Sequence, residues 1–454
     1  MNILKHLAFW LWGEFQPGEL QKFSLLSLIF SLMIGTYWTL RPIKDSAFAT
    51  IVGIDYLPYA KILSLCVIVP LVLVYSKLID IFPRHKVFYA LSIVYGLAAL
   101  AFGYAFMHPE IGLLNAVSDP ARVIGWVWYV YVESMGSLLV ALFWAFTTDV
   151  TLPDSANRGF PMIALFGQMG NIFGPFFLNT KRLGLATSAP IVAICGGLIF
   201  CIGFLLRFFM EVVPADQLRG FDGTEEEEEK ASEPGFFEGL KLLVTKGYLF
   251  GIFLIITIYE VIVTILDYHF KATAKAAFPL EADYSAYLSQ YAWMTGVVAT
   301  LCVLFGINKI QRALGIRFSL FLLPILVAGA VTMLKLNPST LTIAFWIMVI
   351  SKAINYALNQ PTLKQLYIPT SRDTKYKAQA WIEMFGSRGS KGLASLINST
   401  RKGFVKTLGP VAGVDKFLTM SATFSGAVIV LWFFVVVYVS NIYTKAVKDK
   451  KVIC

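Results

Sequence analysis

Val-Ile-Gly-Trp-Val-Trp-Tyr-Val-Tyr-Val-Glu-Ser-Met-Gly-Ser-Leu-Leu-Val-Ala-Leu-Phe-Trp-Ala-Phe-Thr-Thr, residues 123–148, decides the fold class. One ionisable side chain, Glu133, interrupts an apolar run longer than the roughly 20 residues a helix needs to cross a bilayer. The run does not alternate apolar and polar positions, as a membrane β-strand would. Comparable runs occupy 23–48, 57–78, 87–107, 159–179 and 187–210 before this pattern lapses, then 248–270, 288–308, 317–336, 340–363, 379–400 and 418–443. The expectation is an all-α polytopic membrane protein with 12 transmembrane helices, six in each half.

Composition points the same way. The chain has 454 residues, 57% hydrophobic and 15% charged, against about 25% charged in soluble chains. Mean hydropathy is +0.68. This excludes an ordinary soluble protein, a disordered chain and a fibrous one. The net charge of +10 suits anionic lipid at one face or anionic cargo in a central path. The basic residues are scattered between apolar runs, so no nucleic-acid partner is expected. No CxxC pair occurs among the five Cys, so neither a metal site nor a disulfide frame is expected, and no cofactor. The terminal Val-Ile-Cys is not a prenylation box. No HExxH or GxSxG motif and no His/Cys cluster occurs, which speaks against an enzyme. A channel is separated from a carrier by conductance that does not saturate.

The halves are bounded as follows. Residues 1–21, with Phe9, Trp10, Trp12 and Phe15 among charges, read as an interfacial helix. Residues 22–210 form the first six-helix half. Residues 211–247 are a charged cytoplasmic linker, because Glu225 to Glu229 cannot be buried. Residues 248–445 form the second half, and 446–454 a basic tail. Loop cations at Lys77, Arg84, Lys86, Lys309, Arg312, Arg317, Lys364, Arg372, Lys375 and Lys377 put both termini in the cytoplasm. A repeat supports two halves. Ile163, Phe166, Gly167 and Gly170 match Ile382, Phe385, Gly386 and Gly389 at one offset of 219 positions, shared by Asp154 and Asp373. Parallel six-helix repeats are the major-facilitator plan, with cargo bound near mid-membrane. The paired glycines also let helices approach closely.

Charges inside membrane helices cost several kcal/mol unless partnered or wetted. Arg41 and Lys44, three apart beside Pro42, share a helix face. They suit anion capture, or alternatively snorkelling at a helix end. Glu133 suits an interhelical ion pair or a role as gate, proton carrier or cargo contact. Helix 7 carries Glu260, then Asp267 and Lys271, four apart, which pair favourably with each other at a surface or serve transport. Helix 10 carries Lys352, and Lys364 at its cytoplasmic end reads as an anchor. Arg388 and Lys391 lie among Gly and Ser that admit a bulky anion, and both suit phosphate oxygens. Gln168 and Asn171 on helix 5 are candidates for base or ribose contacts, or polar groups of helix packing. Cations from both halves facing one cavity, balanced by Glu133 and Asp267, suit a polyanion.

Leu40-Arg41-Pro42-Ile43-Lys44-Asp45, Glu133-Ser134-Met135-Gly136-Ser137 with Phe143-Trp144-Ala145-Phe146, Pro361-Thr362 with Tyr367-Ile368-Pro369, and Lys375-Tyr376-Lys377-Ala378 through Gly386-Ser387-Arg388 to Lys391 together carry a resemblance. The chain resembles the ATP:ADP antiporter family (nucleotide transport proteins) of intracellular bacteria and plastids, over nearly its whole length. The resemblance implies exchange of ATP for ADP (plus phosphate) by alternating access. It also implies a role in transport for Lys44, Lys391, Glu133 and, shortened by one methylene from that family's glutamate, Asp267. Proton-coupled symport, or another nucleotide or NAD as cargo, occurs in the same family. Departures are Gln360 where the family has an acid, Leu363-Lys364 where it has Lys-Glu, and Ser390-Lys391-Gly392-Leu393 where it has Gly-Lys-Ser-Gly. A monomer in a bacterial inner membrane is the expected form.

Overall fold

The computed structural model describes residues 15, 18–218, 236–304, 307–371, 382, 386–449 and 451–453. Among them the protein is helical. The helices are α1 (Glu19–Phe48), α2 (Leu57–Ile81), α3 (Arg84–Phe106), α4 (Val123–Asp149), α5 (Pro153–Phe177), α6 (Ala189–Val212), α7 (Gly247–Ala277), α8 (Glu281–Leu304), α9 (Ile307–Leu336), α10 (Leu341–Ile354), α11 (Ser387–Leu408) and α12 (Pro410–Asp449). Nine segments among the described residues are long and apolar enough to cross a membrane. One of these, Glu19–Ile79, takes in two of the expected helices. Helices α5 and α11 are not among the nine, since polar and small residues dilute their hydropathy.

The expected interfacial helix at 1–21 lies mostly outside the described residues, and α1 already begins at Glu19. Residues 219–235 of the expected linker also lie outside them, and its Phe236–Thr245 portion is a short helix. The Lys375-Tyr376-Lys377-Ala378 motif, Asp373, Glu383 and Phe385 lie outside as well. Helix α12 runs through 40 residues without a break and takes in Ala446 to Asp449, the first part of the expected tail.

Backbone breaks follow from residue type. Helix α1 passes Pro42 without interruption, loosens into a π-turn at Ala49–Gly53, and turns at Gly53 with φ of 113°. That left-handed conformation is open to Gly without steric cost. Helix α9 is kinked at Gly315, φ 79°. Helix α10 widens into a π-turn at Asn355–Asn359 before resuming as Gln360–Leu366. Pro361 accounts for the widening, because its ring cannot approach the carbonyl four residues back.

The chain forms two compact units. The first holds residues 1–53, 66–224 and 278–296, the second 54–65, 225–277 and 297–454. The units therefore depart from the two sequence halves at two places. The start of α2 belongs with the second unit, and the start of α8 with the first.

In the first unit α5 lies against α1 through glycines. A Cβ on Gly35 would meet the Gly170 carbonyl oxygen at 3.3 Å. Apolar matter outside the protein is as apolar as that within, so close packing by small residues holds membrane helices together. Trp128 on α4 is fully buried and meets Phe102 and Phe106 on α3, each at 5.1 Å between ring centroids. In the second unit Trp432 of α12 is fully buried beside Tyr259 of α7. The Tyr248 hydroxyl donates to the Leu366 carbonyl at 2.7 Å.

Candidate functional site

In the first unit the helical register of α1 puts Lys44 and Asp45 inward, both 4% exposed. The Lys44 ammonium bonds the Glu133 carboxylate of α4, and lies 3.6 Å from Asp45 Oδ1. It also sits 4.2 Å from the centroid of the Tyr129 ring. Tyr129 is held by Phe48 at 5.4 Å. One lysine is thus enclosed by two carboxylates and an aromatic face. Buried charges are tolerated when paired in this way. Glu133 keeps 30% of its side-chain surface exposed, against 5% for Lys44, so an incoming group reaches the pair from the Glu133 side. Arg41, one turn earlier, lies over Trp38 at 4.7 Å.

Gln168 on α5 donates from Nε2 to the Gly296 carbonyl of α8 at 3.1 Å. Asn171 is buried and directs its Nδ2 to Gln168 Oε1 at 3.4 Å. These are contacts of helix packing between α5 and α8.

In the second unit Asp267 of α7 is the hub. Its Oδ2 lies 2.6 Å from Lys271 Nζ and 3.3 Å from Lys61 Nζ at the start of α2. Its Oδ1 lies 3.8 Å from Lys352 Nζ on α10. Side-chain exposure is 7% for Asp267, 11% for Lys271, 15% for Lys61 and 17% for Lys352. The surface-pairing alternative for Asp267 and Lys271 is corrected: the pair is intrahelical as expected but buried. The α-helical rise puts Lys271 one turn above Asp267, and packing of α2 and α10 brings the other two cations to the same carboxylate.

Helix α11 runs alongside α7 in the same direction. Lys391 Nζ lies 3.9 Å from Glu260 Oε2, Asn398 Nδ2 donates to the Thr264 carbonyl at 3.3 Å, and the Arg401 guanidinium sits 5.9 Å from the Tyr268 ring centre. Arg401 also bonds Asp55 Oδ1 at 2.9 Å. Lys391 is 47% exposed at its side chain, so its ammonium is presented outward; Arg388, three residues earlier, is half-buried.

The structure therefore brings Lys44 together with Glu133, Asp267 with Lys271, and Lys391 with Glu260. Sequence reasoning does not reach Lys61, and leaves Lys352 without a partner. The available signal is the cost of an ammonium inside an apolar run, which predicts a carboxylate nearby without saying which.

The family described as TLC ATP/ADP transporter matches residues 3–443. "ADP,ATP carrier protein 1" of Rickettsia typhi is 27% identical over 489 aligned residues, 96% of this chain and 95% of that protein. "ADP,ATP carrier protein 1, chloroplastic" of Arabidopsis thaliana is 24% identical, over 89% of this chain and 72% of that one. Among solved structures, the nucleoside transporter NupG shares the fold with a TM-score of 0.62 at 13% identity, covering 92% of this chain and 99% of that one. The fold is of the major-facilitator type.

Proposed function

The chain belongs to the TLC ATP/ADP transporter family, and from that premise we propose that it exchanges ATP for ADP (plus phosphate) across a membrane by alternating access. It is a multi-pass membrane protein and a transporter, not an enzyme. The observation that carries the reading is a family match running from residue 3 to residue 443, through both buried charge clusters.

The phosphates are taken by Lys44 and Arg41 in the first unit and by Lys391 and Arg388 in the second. Glu133, Asp267 and Lys271 balance the charge. The Lys44–Glu133 bond supports a counter-ion swap. A phosphate oxygen arriving at Lys44 replaces Glu133, and the ammonium is never left bare in a low-dielectric interior. That pair is neutralised with or without cargo, but the three lysines around the single carboxylate of Asp267 carry a positive excess that anionic cargo offsets, so crossing with cargo is favoured over crossing empty, which is the physical root of exchange. Gln168 and Asn171 reach a base or ribose only on letting go of their packing partners. We place the working protein in a bacterial inner membrane as a monomer with both termini cytoplasmic, as the loop cations support.

The test is uptake of labelled ATP by intact cells that express the chain. Saturable uptake that survives an uncoupler, is competed by ADP, and is accompanied by faster efflux of preloaded nucleotide when nucleotide is added outside is the expected result. Efflux that does not quicken overturns exchange. Uptake that collapses with the uncoupler points to proton symport instead.

A further inference from the structure

We propose that Lys61 and Lys352 form an oxyanion-binding site in the second unit, with Asp267, anchored by Lys271, as its resident counter-ion, and that this site takes a phosphoryl group. The proposal deepens the nucleotide-exchange reading and rests on it for the identity of the cargo.

Three observations carry it. The first is convergence. Three ammonium groups from three helices lie 2.6, 3.3 and 3.8 Å from the two oxygens of one carboxylate. Like charges gathered at such range repel strongly at low dielectric, so the arrangement is expensive unless anionic oxygen sits at its centre. A carboxylate offers two oxygens, and a phosphoryl group offers three with more charge. Ammonium groups serve phosphate as point charges and need no fork geometry.

The second is graded access. Asp267 and Lys271 are the more enclosed, and Lys61 and Lys352 keep the larger exposed fractions. The cluster is closed on itself and still reachable from the side of its two outer lysines.

The third is the backbone that presents Lys352. The π-turn at Asn355–Asn359 begins three residues after it, and Asn359 Nδ2 bonds Asn355 Oδ1 at 2.8 Å within that turn. Such widened turns recur at functional sites because they re-aim a neighbouring side chain. Here the widening that Pro361 imposes lies beside the half-buried Lys352.

A phosphoryl group entering from the exposed side displaces Asp267 from Lys61 and Lys352, while Lys271, one turn along the same helix, keeps the carboxylate. No covalent change takes place; one anion replaces another.

The experiment uses the full chain purified and reconstituted, with binding read as ligand-induced thermal shift for ATP, ADP, AMP, adenosine and inorganic phosphate, and KM from transport of the first three. Lys61→Gln and Lys352→Gln are expected to weaken ATP by about tenfold, ADP by less, AMP least, and adenosine not at all. Lys352→Arg should restore most of the loss. Equal loss for every ligand, or unchanged KM ratios with a lower rate, would mean the lysines only hold the fold, and overturns the site. If the unaltered protein binds no nucleotide, the exchange reading fails by itself. In that case the site stands if inorganic phosphate still stabilises the protein in a manner that Lys61→Gln and Lys352→Gln abolish, and falls if it does not.

Discussion

The charge clusters around Lys44 and Asp267 have opposite proportions. Among the described residues, the first sets one lysine between two carboxylates, Lys44 with Glu133 and Asp45. The second sets one carboxylate among three lysines, Asp267 with Lys61, Lys271 and Lys352. Asp267 is more enclosed than its three partners, whereas Lys44 and Asp45 are enclosed alike and Glu133 is the open partner. The lesson is that a membrane carrier can store counter-ions for its cargo in the protein itself. On the proposed reading, the first unit keeps an anion that a phosphate displaces from Lys44, and the second keeps cations that a phosphate takes over from Asp267.

The sharpest way to break this comparison is to remove a central ion. Asp267→Asn leaves three lysines facing a neutral amide and should cost about 3–5 kcal/mol of stability, read as a lowered thermal midpoint in detergent. Adding Lys352→Gln should return part of it. A double variant no better than the single one would show that the cluster is not an electrostatic unit. Lys44→Met should cost about 2–3 kcal/mol, less because Glu133 is partly exposed, and should abolish transport. Adding Glu133→Gln is expected to recover stability without recovering transport.

The repeat gives a steric version of the same contrast. Gly170 of α5 has the backbone of α1 directly against it, at Ser31 and Gly35, whereas a Cβ on Gly389, its counterpart in α11, meets nothing within 4 Å. Gly170→Ala should therefore cost about 1–3 kcal/mol through forced separation of helices. Gly389→Ala should be neutral or stabilising by up to about 1 kcal/mol. Equal effects would show that the two repeats pack alike. The smallest effect on stability belongs to Lys391→Gln. Its ion pair is 3.9 Å long with the lysine 47% exposed, and such pairs contribute about 0–1 kcal/mol. Transport, by contrast, should fall sharply in the uptake assay.

How far the sequence could be read depended on the reach of each interaction. The membrane class was legible in 123–148 alone, because hydropathy is a local sum. The Lys44–Glu133 pair was half legible: a glutamate amid Tyr131 and Met135 must find a cation, but the spacing of 89 positions hides which one. Lys61 was not legible at all, because its carboxylate lies 206 positions away and nothing local marks the start of α2 as belonging with the second unit. The glycine repeat was legible as a pattern and not as a contact, since Gly170 lies tight against α1 while its counterpart Gly389 meets nothing within 4 Å. Helix α12 outran its apolar stretch of 418–443 because backbone hydrogen bonding does not stop where hydropathy does.

That last helix has a mechanical consequence. Its 40 residues reach about 60 Å at the α-helical rise, twice the roughly 30 Å of a hydrocarbon core. With no proline or glycine kink between Ser425 and Asp449 other than Gly426, the turns beyond the lipid are a stiff shaft continuous with the buried stem. A nitroxide or fluorophore fixed on that shaft, at Lys448, would act as a pointer whose swing reports the angle of the stem.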